Sequence, residues 1–254
     1  MVLRFTGMEK KLTNSGPFMK STCKHSIYPL QGGHVILRRR RGRDGRRRGH
    51  GTDRIVSVGP EHVLESARVL RAALAPHLHR DWSVRAGDLT WSCRETLLHA
   101  ADCWYAVELA SQRRDWLPPL LAWRAGLTPE AGLAAHDATA ALLAAVLRGV
   151  PPEARGYHGQ PTDAEGFAAM HCDEVLVHGY DIALGLGVTF SPPLDLARGV
   201  RDRLFPWTPA GDPWTTLLWC NGRVALPDHE RLTDWLWHPA PLSAWDGTRR
   251  RRER

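Results

Sequence analysis

The sequence predicts a mainly α-helical protein: a bundle of four helices over residues 52–190, followed by a small α+β extension over residues 191–246 that contains a β-hairpin. Three observations carry this. Four stretches repeat apolar residues at helical spacing between recognisable start and stop signals. Their connections are of mixed length, as in many bundles. Beyond Gly187 the pattern changes, and Asn221-Gly222, the preferred two-residue hairpin turn, stands between alternating stretches.

The first helix opens at "GPEHVLESARVLRAALAPHL", with Pro60 in the first turn and Glu61 complementing the helix dipole. Val63, Ala67, Leu70 and Leu74 form its apolar stripe. The second is expected over residues 92–111, "SCRETLLHAADCWYAVELAS", where Ser92 and Glu95 make a capping-box pattern. Pro118 and Pro119 then break the chain. The third, "TPEAGLAAHDATAALLAAVLRG", has Thr128 as N-cap, Pro129 in the first turn and Gly149 past the end. The fourth is residues 166–187, "GFAAMHCDEVLVHGYDIALGLG", stopped at Gly185 or Gly187. "SPPLDLARGVRDRLF" reads as a fifth helix, "WTTLLWCNGRVAL" as the hairpin and "RLTDWLWH" as a third strand.

Charge is segregated. Residues 1–50 hold thirteen Lys or Arg against Glu9 and Asp44, and residues 247–254 hold five Arg against Glu253. The chain's net charge of +7 therefore sits at its ends, and the body between them is acidic. All four lysines lie in the first 24 residues. The Arg/Gly-dense run over residues 38–51 has nothing to bury, so residues 1–51 are expected to be a disordered basic tail, a start-site artefact or an arm for nucleic acid or membrane. Residues 247–254 are expected to be a second disordered basic tail. Nucleic-acid association would rest on these tails alone, and is not the expected role of the body. "HVIL" is too short for a secretory h-region, and the longest clean apolar run, residues 140–147, is far below a membrane span. Five scattered cysteines without CxxC spacing suit reduced thiols in the cytoplasm.

The fourth helix carries the chemistry. At about 100° per residue, Glu174, His178 and Asp181 lie about −60°, −20° and −80° from His171, on the side of Phe167, Val175 and Ile182. Asp173 points away. Carboxylates and imidazoles inside an apolar stripe are costly without partners, and a metal would supply one. One helix rarely completes such a site. On the second helix, Arg94, Ala101 and Glu108 mark a solvent face, and His99 lies nearly opposite. His99, Glu174 and His178 would form a two-His-one-carboxylate set that leaves a coordination position open, the pattern of catalytic zinc. Non-haem iron uses the same ligand types, and a Glu–His pair four residues apart is also a simple helix pair. Asp102 and Asp181 stand one turn from His99 and His178, where either could orient an imidazole. His171 reads as a fourth ligand, a base, a cofactor contact or a satisfied interior histidine. Cys103 reads as a ligand, a reactive thiol or an apolar filler. His136 reads as structural. Trp207, Trp214, Trp219, Trp235, Trp237 and Trp245 are core or pocket wall. Arg85, Arg124 and Arg223 are candidate anchors for an acidic ligand.

"DWSVRAGDLTWSCRETLLHAADCWYAVELA" together with "EGFAAMHCDEVLVHGYDIALGLG" resembles the mycothiol-dependent maleylpyruvate isomerase family, within the DinB-like superfamily of four-helix metalloproteins. The resemblance spans roughly residues 60–187, and the region after it is similar to the C-terminal extension of some members. It implies a DinB-like bundle and a divalent metal, usually zinc, held by His99, Glu174 and His178. It also implies mycothiol, a low-molecular-weight thiol, as cosubstrate. The expected activity is isomerase or transferase chemistry on a small electrophile, the metal activating the thiol as thiolate. The competing readings are a non-catalytic metal- or partner-binding protein on the same fold, and a nucleic-acid-associated protein acting through its Arg-rich tails.

Overall fold

The computed structural model describes residues 57–116 and 127–252. The expected tail over residues 1–51, the Pro118-Pro119 break and Arg124 lie outside these residues.

Start signals act where the sequence places them. α1 (Pro60–Leu74) begins behind Gly59 with Pro60 in its first turn, and buries Val63, Ala67, Leu70 and Leu74. α2 (Cys93–Ala100) is closed by the Ser92–Glu95 capping box: the Glu95 amide donates to Ser92 Oγ at 3.2 Å, and the Ser92 amide to Glu95 Oε2 at 2.8 Å. The expected second helix does not continue. Asp102 accepts the Trp104 amide at 3.1 Å in a tight local turn, and a new helix, α3 (Trp104–Ser111), starts behind Cys103. The break resets the helical phase. Ala101 and Glu108, expected on a solvent face, are both buried.

α4 (Pro129–Gly149) starts at Thr128, whose hydroxyl accepts the Ala131 amide, and buries Leu133, His136, Ala140 and Leu143. Among the described residues it is the one helix long and apolar enough, by length and composition alone, to cross a membrane. A two-stranded antiparallel hairpin follows: β1 (Gly156–Tyr157) pairs with β2 (Pro161–Thr162). α5 (Ala164–Leu186) is capped by Asp163 and ended by Gly187 in the left-handed conformation, φ 64°. It is buried on nearly every side, as befits a central helix. α1 packs on α4 and α5, and α2 packs on α4 and α5, so these four enclose most of the core.

α6 (Leu194–Leu204) is the expected fifth helix and packs on α5. The expected hairpin after it is absent among the described residues. "WTTLLWC" belongs to α7 (Pro213–Cys220), because Asp212 accepts the Thr215 amide at 2.8 Å and Pro213 occupies the first turn, both helix-start signals. Asn221-Gly222 ends that helix. Gly222 adopts φ 64°, its amide donates to Trp219 O, and the Arg223 amide donates to Leu218 O, the two bonds of a Schellman cap. "RLTDWLWH" is an irregular segment with a single bridge, Trp235 to Arg251. The extension is thus helices and loops, and the structure's small sheet lies between α4 and α5 instead.

The C-terminal arginines, expected to be disordered, pack back through residue 252. Arg249 bonds Asp234 and lies over the Trp207 ring at 4.9 Å, Arg250 donates to Trp237 O at 2.8 Å, and the Arg252 amide donates to Asp234 O. Asp234 supplies the counter-charge that the sequence alone did not locate.

Candidate metal centre

α2 and α5 pack together, and this contact brings His99 to Glu174 and His178. Glu174 Oε2 stands 3.3 Å from His99 Nε2 and 2.9 Å from His178 Nε2, and the three ligand atoms lie within 4.8 Å of one another. Glu174 Oε2 is buried and makes no hydrogen bond, although two imidazole nitrogens face it. Ligands bound about 2.0–2.1 Å from one zinc ion stand about 2.9 Å apart at right angles and about 3.4 Å apart at the tetrahedral angle. The spacing, the donor types and the orphaned oxygen all fit a divalent cation.

The charges are arranged for it as well. Burial alone would raise the Glu174 carboxyl, but His178 and His99 hold it well below its usual range. Burial alone would lower His178, but Glu174 and Asp181 raise it to about 9 in the metal-free protein. Asp181 Oδ2 lies 3.0 Å from His178 Nδ1, which leaves Nε2 for the metal. Arg223, just beyond the α7 cap, donates to Asp181 from Nε at 2.9 Å and from Nη2 at 2.8 Å. Its Nη1 donates to Asn221 O. Desolvation would raise Asp181, but His178 and Arg223 keep it below the ordinary carboxylate range. Asp181 therefore has the orienting position expected of it, and Arg223 supplies a partner from outside the four helices.

The site opens on a cleft of about 970 Å³ lined by Trp91, Trp104, Tyr105, Trp116, Trp235 and Trp237 among others. Arg223, Asp102 and His171 also line it. Asp102 bonds the Trp104 amide rather than His99, and burial raises its carboxyl. The expected orienting role for Asp102 is therefore not seen: its carboxylate serves the helix break. His171 is not among the converging donors. It stacks on His136 with ring centroids 5.7 Å apart, and burial lowers the two imidazoles to about 3 and about 4. Both are neutral interior rings. Cys103 lies outside the cleft lining, and burial raises its thiol, which makes it less reactive. Arg85 is spent on the backbone of Asp88 and Leu89. Trp207, Trp214, Trp219, Trp235 and Trp237 all pack with the core, and Trp235 and Trp237 also line the cleft.

Sequence reasoning missed three polar groups. Asp173, expected to point away, is buried; it accepts from Asn221 Nδ2 at 2.9 Å and Trp237 Nε1 at 2.8 Å, and burial raises it to about 7. Glu108 and His158 bond one another at 2.9 Å. The signal for the latter pair was the "YHGQ" turn, which carries a histidine beside a glycine between two short extended pieces.

Fold and site together define a mainly helical protein with a candidate divalent-metal centre in an aromatic cleft. No family model, no curated protein and no solved structure matches the chain.

Proposed function

We propose that this protein is a zinc-dependent enzyme of the mycothiol-dependent maleylpyruvate isomerase type, with α1, α2, α4 and α5 as its DinB-like bundle. It acts as an isomerase or transferase on a small electrophile, with a low-molecular-weight thiol as cosubstrate. The reaction belongs in the cytoplasm, where such thiols are kept reduced. The observation that carries the reading is the convergence of His99, Glu174 and His178 with His178 Nδ1 bonded to Asp181. It coincides with the ligand set that the sequence resemblance implies.

A bound zinc ion would act as a Lewis acid that acidifies a coordinated thiol near neutral pH. The chain's own residues do the rest. His99, Glu174 and His178 would hold the ion beside the cleft. Asp181 keeps the proton of His178 on Nδ1, and Arg223 keeps Asp181 in place. Trp91 packs against both imidazoles, with ring centroids 5.0 Å from His99 and 6.4 Å from His178. It shields one side of the centre from water, which strengthens the electrostatics there. The aromatic walls suit a ligand with substantial apolar surface.

The test has two parts. Elemental analysis of the purified protein should find about one zinc per chain, lost in His99→Ala. The zinc-loaded protein should then transfer mycothiol to, or isomerise, one of a panel of small electrophiles. A folded wild type that binds no divalent metal would overturn the reading.

A further inference from the structure

We infer that His158 and Glu108 form a proton-transfer dyad serving the same cleft, with His158 Nε2 accepting the proton and Glu108 positioning the ring. His158 stands in the β1–β2 turn. That turn is shaped by Gly159 at φ 72° and closed by the His158 amide donating to Gln160 O at 3.1 Å. Gly156 lets β1 lie directly on α3: a Cβ there would stand 2.6 Å from Glu108 O and 2.8 Å from the Phe167 ring. The close approach sets His158 Nδ1 2.9 Å from Glu108 Oε2.

Glu108 is 1% exposed, and its other oxygen accepts Trp104 Nε1 at 2.6 Å. An ionised carboxylate only accepts, so the neutral imidazole facing it carries its hydrogen on Nδ1 and its lone pair on Nε2. The ring lines the cleft, and among the described residues no hydrogen bond reaches its Nε2. Tyr105 and Trp116 meet the ring edge-on at 5.3 and 5.2 Å, which holds its orientation. A merely structural His–Glu pair has no need of an open nitrogen on a cleft.

The cleft's other basic groups are committed or interior: Asp102 accepts the Trp104 amide, and His171 is 2% exposed and stacked on His136. Glu174, His99 and His178 converge on the candidate metal position, Asp181 is bonded to both His178 and Arg223, and both oxygens of Asp173 accept hydrogen bonds. His158 fills the missing role of a mobile proton acceptor. A bound thiol, hydroxyl or water X–H gives its proton to Nε2, and the X–H bonding pair stays on X. Nδ1–H remains with Glu108, whose charge stabilises the imidazolium, and the reverse transfer restores both partners. This inference requires a catalytic cleft but does not require that the substrate be a thiol.

Two measurements test it. Nitrogen NMR of the zinc-loaded full chain with labelled histidine should find neutral His158 as the Nδ1–H tautomer, with a mixture of tautomers in Glu108→Gln. In transfer of mycothiol to chlorodinitrobenzene, His158→Gln should lose about 10²–10⁴-fold in kcat with KM and zinc content little changed. Glu108→Gln carries the same test if His158→Gln does not fold. An Nε2–H tautomer in the wild type, or undiminished kcat in folded variants, would overturn the dyad. A wild type with the expected tautomer but no thiol transfer would refute the thiol chemistry and leave the dyad supported.

Discussion

Asp181→Asn separates the metal-orienting role of this residue from its role in stability. The side chain is 3% exposed, bonds His178 Nδ1 at 3.0 Å, and meets Arg223, itself 9% exposed, through two guanidinium nitrogens. The substitution keeps shape but removes charge, and its amide can turn a donor toward His178. Loss of such a partner behind a metal-bound histidine weakens metal binding about 10–100-fold, equivalent to about 1.4–2.8 kcal/mol. It also strands Arg223, and breaking a buried ion pair costs about 3–5 kcal/mol. Two effects with different causes are therefore expected. Competition against a chelator of known affinity should show the loss of zinc affinity, and urea unfolding of the metal-free protein should show the loss of stability. The double variant Asp181→Asn/Arg223→Met removes the stranded charge, so it should recover much of the stability and none of the zinc affinity. Unchanged zinc affinity in folded Asp181→Asn would refute the orienting role.

Other outcomes follow from the same contacts. Because His178 is raised from 6.5 to about 9 in the metal-free protein, its charged form stabilises the fold fully below pH 6.5 and loses that effect as pH rises through 9. Urea midpoints in chelator should fall over that window in the wild type and stay flatter in His178→Gln. The same proton competes with metal, so zinc affinity should rise from pH 6.5 toward 9, as read by calorimetry in several buffers. Gly222→Ala should destabilise by more than about 1 kcal/mol in thermal or urea unfolding. It places a side chain at φ 64° and against Leu232 O, where a glycine is required. His136→Leu should leave stability unchanged or raise it by about 1 kcal/mol, because both ring nitrogens of His136 are buried without hydrogen bonds.

The sequence by itself determined the helices with local start signals and the three candidate ligands. Ser92–Glu95, Thr128–Pro129 and the α1 stripe act within one or two turns, so they are legible without a fold. Glu174 and His178 share a helix face by spacing alone, and His99 was reached by opposition to Arg94. Glu108 and Ala101 are not on the Arg94 face, because the break at Asp102 resets the phase, but His99 and Arg94 both lie before the break and keep their opposition. Asn221-Gly222 misled because one dipeptide suits both a hairpin turn and a helix cap. The choice was made by Asp212 and Pro213, several residues upstream. Only the tertiary structure decided which charges meet. Arg223 and Asp181 lie 42 residues apart, Glu108 and His158 50, and Trp237 and Asp173 64. No local period encodes such pairs, because each depends on how α7, β1 and the C-terminal segment dock on α3 and α5.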